Sequence, residues 1–135
     1  MNSMSVTVES QGEATFTKTN ETQKRFLQIH LTNGGSEDQP VTVKYYFFGR
    51  DIGGKETMVL RDGKLDVTVK SHWTETVKSE PASEVVTKAV RGKTGTTPAK
   101  GKRIVGYGVR VLQNGNVLTD YFSEPSLKDN VGGDR

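Results

Sequence analysis

Apolar residues in this chain alternate with polar ones almost wherever they cluster. Met4, Val6 and Val8 are separated by Ser5 and Thr7, and Leu27, Ile29 and Leu31 by Gln28 and His30. Val41, Val43, Tyr45 and Phe47 keep one parity through a third segment, as do Leu65, Val67 and Val69 through a fourth. A period of two sends successive side chains to opposite faces of a strand, one toward a core and one toward water. This favours antiparallel sheets with one solvated side over parallel sheets buried on both. Residues 14–18 are a weaker strand candidate. Residues 81–90 suit either a short helix with Pro81 near its first turn or an edge strand through Val86, Lys88 and Val90. The β pattern elsewhere tips this segment toward a strand.

Two dipeptides read as hairpin turns. Asp62-Gly63 and Asn114-Gly115 tolerate the positive φ angles of a type I′ turn, whose twist matches its flanking strands. A two-residue loop at Asp62-Gly63 pairs Leu60 with Leu65 and Met58 with Val67, so turn and hydrophobic pattern agree. At Asn114-Gly115 the same spacing pairs Val111 with Leu118 and Tyr107 with Phe122, but sets Asp120 against Val109. That position lies at a sheet rim, or a bulge shifts the register. Residues 33–36 and 53–54 are further turns, and 91–103, rich in Gly, Thr and Lys, reads as a long exposed loop. Seven to eight short strands punctuated in this way predict an all-β, antiparallel, two-sheet β-sandwich, with a barrel as the alternative. The expected domain covers 1–127, and the polar residues 128–135 form a flexible tail.

The stretch Tyr107-Gly108-Val109-Arg110-Val111-Leu112-Gln113-Asn114-Gly115 resembles the penultimate strand and following turn of fibronectin type III and related immunoglobulin-like modules. Residues 41–48 resemble their central strand, with Tyr45 and Tyr46 where a tryptophan is usual; the chain has no cysteine pair, and its single tryptophan is Trp73. The resemblance implies an immunoglobulin-like sandwich in which the Tyr107 hydroxyl ties a corner. Such modules in bacterial surface proteins commonly serve as spacers, adhesins or accessory domains, so it also implies a non-catalytic role.

Composition narrows the chemistry. Length, 135 residues, points to one domain, and a hydrophobic content of 32% allows a thin core. No apolar run approaches the roughly 18 residues needed for a membrane helix. The absence of cysteine removes disulfides, thiolate chemistry and cysteine-ligated zinc. The start, Met1-Asn2-Ser3-Met4, shows no basic region followed by an apolar one. The protein is therefore expected to be extracellular or periplasmic if a leader was removed, and cytoplasmic otherwise. Net charge is +3, but residues 85–119 contain no acid and seven bases: Lys88, Arg91, Lys93, Lys100, Lys102, Arg103 and Arg110. Such a stretch attracts anions generically or simply keeps a loop solvated.

No catalytic constellation survives inspection. Gly92-Lys93-Thr94 resembles the end of a phosphate-binding loop, but Thr87 stands where its first glycine is needed. Gly106-x-Gly108 lacks the third glycine of a dinucleotide motif, which Val111 replaces; these glycines instead suit the close approach of a neighbouring ring or backbone. His30 falls on the polar face of its strand, and His72 beside Trp73 has no spaced partner for a metal. Neither a metal nor another cofactor is expected.

The expectation is a non-enzymatic interaction or structural module with a protein or glycan partner. Two alternatives stay open. One is a carbohydrate-binding module in which Tyr46, Phe48 or Trp73 stacks on sugar rings. The other is an anion-binding protein or small hydrolase using Lys93, Lys100, Lys102 and Arg103 in the basic loop 88–103. Sequence-specific nucleic-acid binding is not expected, because no aromatics interleave with those lysines.

Overall fold

The computed structural model describes residues 4–87, 90–92, 95–97 and 100–130. In chain order the strands are β1 (Met4–Phe16), β2 (Asn20–Asn33), β3 (Gln39–Asp51), β4 (Met58–Val69), β5 (Trp73–Lys78), β6 (Ala82–Thr87), β7 (Val90–Gly92), β8 (Gly95–Thr97), β9 (Lys100–Gln113) and β10 (Asn116–Phe122). A 3₁₀ helix, Pro125–Asn130, follows. Eight strands join in one hydrogen-bonded sheet along the path β1-β2-β6-β9-β3-β4, with β5 added to β2 and β10 to β9. β7 and β8 pair separately. All pairings are antiparallel, as the alternation predicts.

The inward parity of each strand is the one read from the sequence. Leu27, Ile29 and Leu31 on β2, Val41, Val43, Tyr45 and Phe47 on β3, and Val109 and Val111 on β9 are all buried in one cluster with Met4, Val69 and Ala82. β3 lies between β4 and β9, and its residues 45–48 are buried on both faces. Tyr45 and Phe47 join the main cluster, while Tyr46 and Phe48 pack on the opposite face with Phe122 and Leu127.

Two expectations change. Asp62-Gly63 is no turn: β4 runs straight through it, placing Asp62 opposite Tyr46 and Gly63 opposite Tyr45. A Cβ at Gly63 would overlap the hydroxyl end of the Tyr45 ring, so the glycine serves a close aromatic approach rather than a positive φ. Second, the segment 91–103 is not one long loop, since β7, β8 and the start of β9 all fall within it. Of the expected tail, residues 128–130 fall in the 3₁₀ helix, and 131–135 lie outside the described residues. The segment 81–90 contains strand β6, with 88 and 89 outside the described residues. The candidate strand at 14–18 is the far end of β1.

Asn114-Gly115 does form the hairpin turn, with φ of 51° and 81°. The register shifts between Val117 and Thr119, so Leu118 is bulged, Asp120 faces Arg110 and Phe122 faces Gly108. A bulge thus spares the core a carboxylate, which is one of the two solutions the pattern left open.

A second irregularity joins β5 to β6. Gln28 pairs with Lys78 and Arg25 with Ala82, so two residues of β2 face three, 79–81. Buried Ser79 repairs the ladder: its amide donates to the Leu27 carbonyl at 2.9 Å, and its hydroxyl accepts from the Leu27 amide at 2.8 Å. The adjacent Glu80 amide donates to the Tyr45 hydroxyl at 3.3 Å. Replacing Ser79 with Ala strips the Leu27 amide of its acceptor in a buried place, and should cost about 1–2 kcal/mol by urea denaturation.

Asn33, only 1% exposed, closes the other end of β2. Its amide nitrogen donates to the carbonyls of Glu37 (2.8 Å) and Val69 (3.0 Å), and its oxygen accepts from the Gly35 amide (2.9 Å). One side chain thus fastens β2, its following loop and the end of β4.

Candidate functional site

The residues singled out as binding candidates do not converge. Tyr46 is 5% exposed and Phe48 0%, so neither offers a ring face to a ligand. Tyr46 stacks on Phe48 and on Phe122 with centroid separations of 6.2 and 6.5 Å. Gly106 and Gly108 make this cluster possible: a Cβ on Gly108 would overlap the Phe122 ring, and one on Gly106 would meet Leu127 and Ser123. The glycine pair therefore admits neighbouring side chains, as the failed dinucleotide motif suggests. Trp73, at the start of β5, is 59% exposed and stands apart from the buried pair.

Three of the basic candidates lie on β9. Arg103 is bound within the fold by Glu21, Nη1 to Oε1 at 3.2 Å, where the carboxylate side chain is largely buried. Lys100 and Lys102 lie on β9, with Lys100 exposed. Lys93 lies outside the described residues. His30 donates to or accepts from the Thr76 hydroxyl at 2.9 Å across β2 and β5, which is a cross-strand role.

Convergence occurs instead at one end of the core, where the inward face of β2 turns polar. Glu21, Gln23 and Arg25 keep the parity of Leu27, Ile29 and Leu31. Gln23 Oε1 accepts from the Ile104 amide at 3.1 Å, and Glu21 takes Arg103, so both are occupied. Arg25 lies opposite Gly12 on β1, and a Cβ there would crowd the Arg25 side chain. The arginine stem passes over the glycine into a mouth of about 190 Å³, walled by Ser10, Ile104, Tyr107 and Ser123. Ser123 fixes the Tyr107 backbone, its hydroxyl accepting from the Tyr107 amide at 3.0 Å and its amide donating to the Tyr107 carbonyl at 2.9 Å.

Tyr107 is the aromatic wall. Its ring lies 6.1 Å from that of Tyr121. Tyr45 ties β3 to the connection between β5 and β6, its hydroxyl accepting from the Glu80 amide. Burial first, and the neighbouring Tyr121 second, push the Tyr107 phenol above its ordinary value, while the Arg25 guanidinium pulls the other way. A folded-state value above the unfolded one means that this contribution to stability is complete below about pH 10 and is lost as pH rises through the raised value. Denaturation midpoints should fall above that pH, and Tyr107→Phe should flatten the alkaline decline.

A larger, shallower groove of about 570 Å³ lies on the outer face beside the 79–81 bulge. There the Lys78 ammonium sits 5.6 Å from the centre of the Phe26 ring, so the most obvious stacking surface is already covered.

No protein-family model matches the chain, and no curated protein does. Among solved structures, a candidate β-galactosidase from Bacteroides fragilis matches at 13% identity with a TM-score of 0.53, covering 86% of this chain and 15% of that one. A β-glucuronidase from glycoside hydrolase family 2 matches at 12% identity and a TM-score of 0.46, over 84% of this chain and 10% of that one. A protein from Akkermansia muciniphila gives 14% identity and a TM-score of 0.42, over 98% and 77%. At 13% identity the likeness to the Bacteroides protein concerns the fold alone: an all-β antiparallel domain similar to part of that chain. The chain spans about a seventh of the Bacteroides protein's length.

Proposed function

We propose that this chain is an immunoglobulin-like two-layer β-sandwich acting as a non-catalytic structural or interaction module in an extracytoplasmic setting. The observation that carries the layered reading is the main core cluster. β2 and β3 share no hydrogen bonds, yet their inward side chains belong to one cluster. Folding β1-β2-β5 over β4-β3-β9-β10 accounts for that packing.

The module reading is supported by how the polar side chains are used. Glu21 holds Arg103, Asp66 accepts from the Thr42 hydroxyl at 2.8 Å, Asp38 accepts from the Ser71 amide at 2.9 Å, and His30 bonds Thr76. Each joins strands or closes a loop. The match to a small part of a much longer Bacteroides protein is in keeping with a domain that accompanies other chemistry. The test is to offer the purified, folded chain a panel of chromogenic glycosides, esters and phosphates. No turnover is expected; turnover that survives repurification and disappears with one side-chain change overturns the reading.

The exposure of Trp73 favours a second reading, glycan binding through that single ring. Binding on a glycan array that Trp73→Ala abolishes would establish it, and a silent array with folded protein would remove it.

A further inference from the structure

We propose that the mouth between β1, β2 and β9 binds a small organic monocarboxylate, with its carboxylate on the Arg25 guanidinium and its apolar part against Ile104 and Tyr107. Among the described residues, Arg25 has no carboxylate partner. The nearby inward-facing acid, Glu21, is already neutralised by Arg103 at 3.2 Å. Gln23, between Arg25 and Glu21 on the same face, has its oxygen committed to the Ile104 amide. An arginine without a carboxylate partner, half-buried beside Tyr107, therefore lines the opening.

The chemistry of that opening selects its ligand class. A guanidinium presents a planar fork of donors that matches a carboxylate with two parallel hydrogen bonds. One positive charge balances one negative charge, so a dianionic phosphate would bring uncompensated charge against a wall formed by Ile104 and Tyr107. The space, about 190 Å³, is the share of roughly six waters in the liquid and admits one small ring with its acid group. The Ser10 hydroxyl on β1 lines the same space and supplies a further polar contact. The fold also leaves room for this arginine, because Gly12 lies directly across from it and carries no side chain to obstruct the stem.

The test is a titration of the ¹⁵N-labelled chain with sodium benzoate and, separately, with sodium phosphate at matched ionic strength. Benzoate should shift the amides of Arg25, Ile104, Tyr107 and Ser123 along one saturable curve, with a Kd on the order of millimolar. Arg25→Gln should weaken binding by about tenfold or more, and Arg25→Lys by less, because a point charge keeps the attraction but loses the fork. Ser10→Phe, which fills the mouth from β1 while leaving the positive charge of Arg25 in place, should also abolish the benzoate shifts. Phosphate should give no saturable shift. The assignment is overturned by any of three results: no saturation with benzoate, affinity unchanged in both Arg25→Gln and Ser10→Phe, or phosphate binding as tightly as benzoate at the same amides. Binding without turnover leaves the non-catalytic reading intact.

Discussion

Replacing Gly63 with alanine should destabilise the fold by about 2–3 kcal/mol, seen as a lower urea midpoint with an unchanged slope. The sign is the informative part. Glycine in a strand interior is ordinarily a liability of roughly 0.5–1 kcal/mol relative to alanine, so propensity alone makes this substitution stabilising. The structure makes it costly because the Cβ would occupy the place of the Tyr45 hydroxyl end. Moving that ring also withdraws the acceptor from the Glu80 amide, 3.3 Å away at the β5–β6 bulge. Tyr45→Phe should remove only the hydrogen bond and cost about 1–2 kcal/mol. The decisive measurement is the double-mutant cycle with Tyr45→Leu, a shorter side chain that clears the space over Gly63. In that background Gly63→Ala should be neutral or slightly stabilising, leaving a coupling of about 2 kcal/mol or more. A Gly63→Ala variant more stable than the parent would mean that Tyr45 does not lie over β4 as described.

This pair also shows why part of the fold was legible and part was not. Parity alone identifies the inward residues of β2, β3 and β9, because burial on one face imposes a period of two whatever the partner strand is. Asp62-Gly63 satisfies every local criterion for a hairpin, yet the reason for its glycine lies on a neighbouring strand. Turn signals report what a dipeptide tolerates; they say nothing of a tyrosine that needs empty space beside it. The reverse holds at Asn114-Gly115, where local conformation and tertiary structure agree.

The candidate mouth was legible in part. Arg25 continues the alternation of Leu27, Ile29 and Leu31, so its inward direction could be read from parity, as could those of Gln23 and Glu21. Their convergence with Ser10 and Tyr107 could not, since it depends on β9 approaching the same end of the core. The basic stretch drew attention for its charge density, but charge counted along the chain ignores pairing. Arg103, one of its members, is held by an acid 82 positions earlier in the chain. The aromatic run 45–48 was correctly divided between two faces. What covers the second face is a short polar-looking segment, Pro125–Asn130, which contributes Leu127 to the cluster.

That cover yields the other large effect. Phe48→Ala should cost about 3–5 kcal/mol, because the lost ring leaves a cavity among side chains on a face that is closed rather than wet. Phe48 is 0% exposed and lies 6.2 Å, centroid to centroid, from both Tyr46 and Phe122. Against a total stability of about 5–15 kcal/mol, such a loss removes a large share of the folded state's margin. Leu127→Ala should cost about 2 kcal/mol or more by opening the same cluster from its other side. Trp73→Ala should change stability by no more than about 0.5 kcal/mol, since most of that ring is already in water. The three midpoints together separate two pictures of the aromatic run. If Phe48→Ala and Trp73→Ala were equally mild, the outer face of β3 would be open to ligands, and the 3₁₀ helix would not cover it. If Phe48→Ala and Leu127→Ala are both severe while Trp73→Ala is silent, the rings of β3 stabilise the fold, and Trp73 remains an exposed aromatic available to a partner.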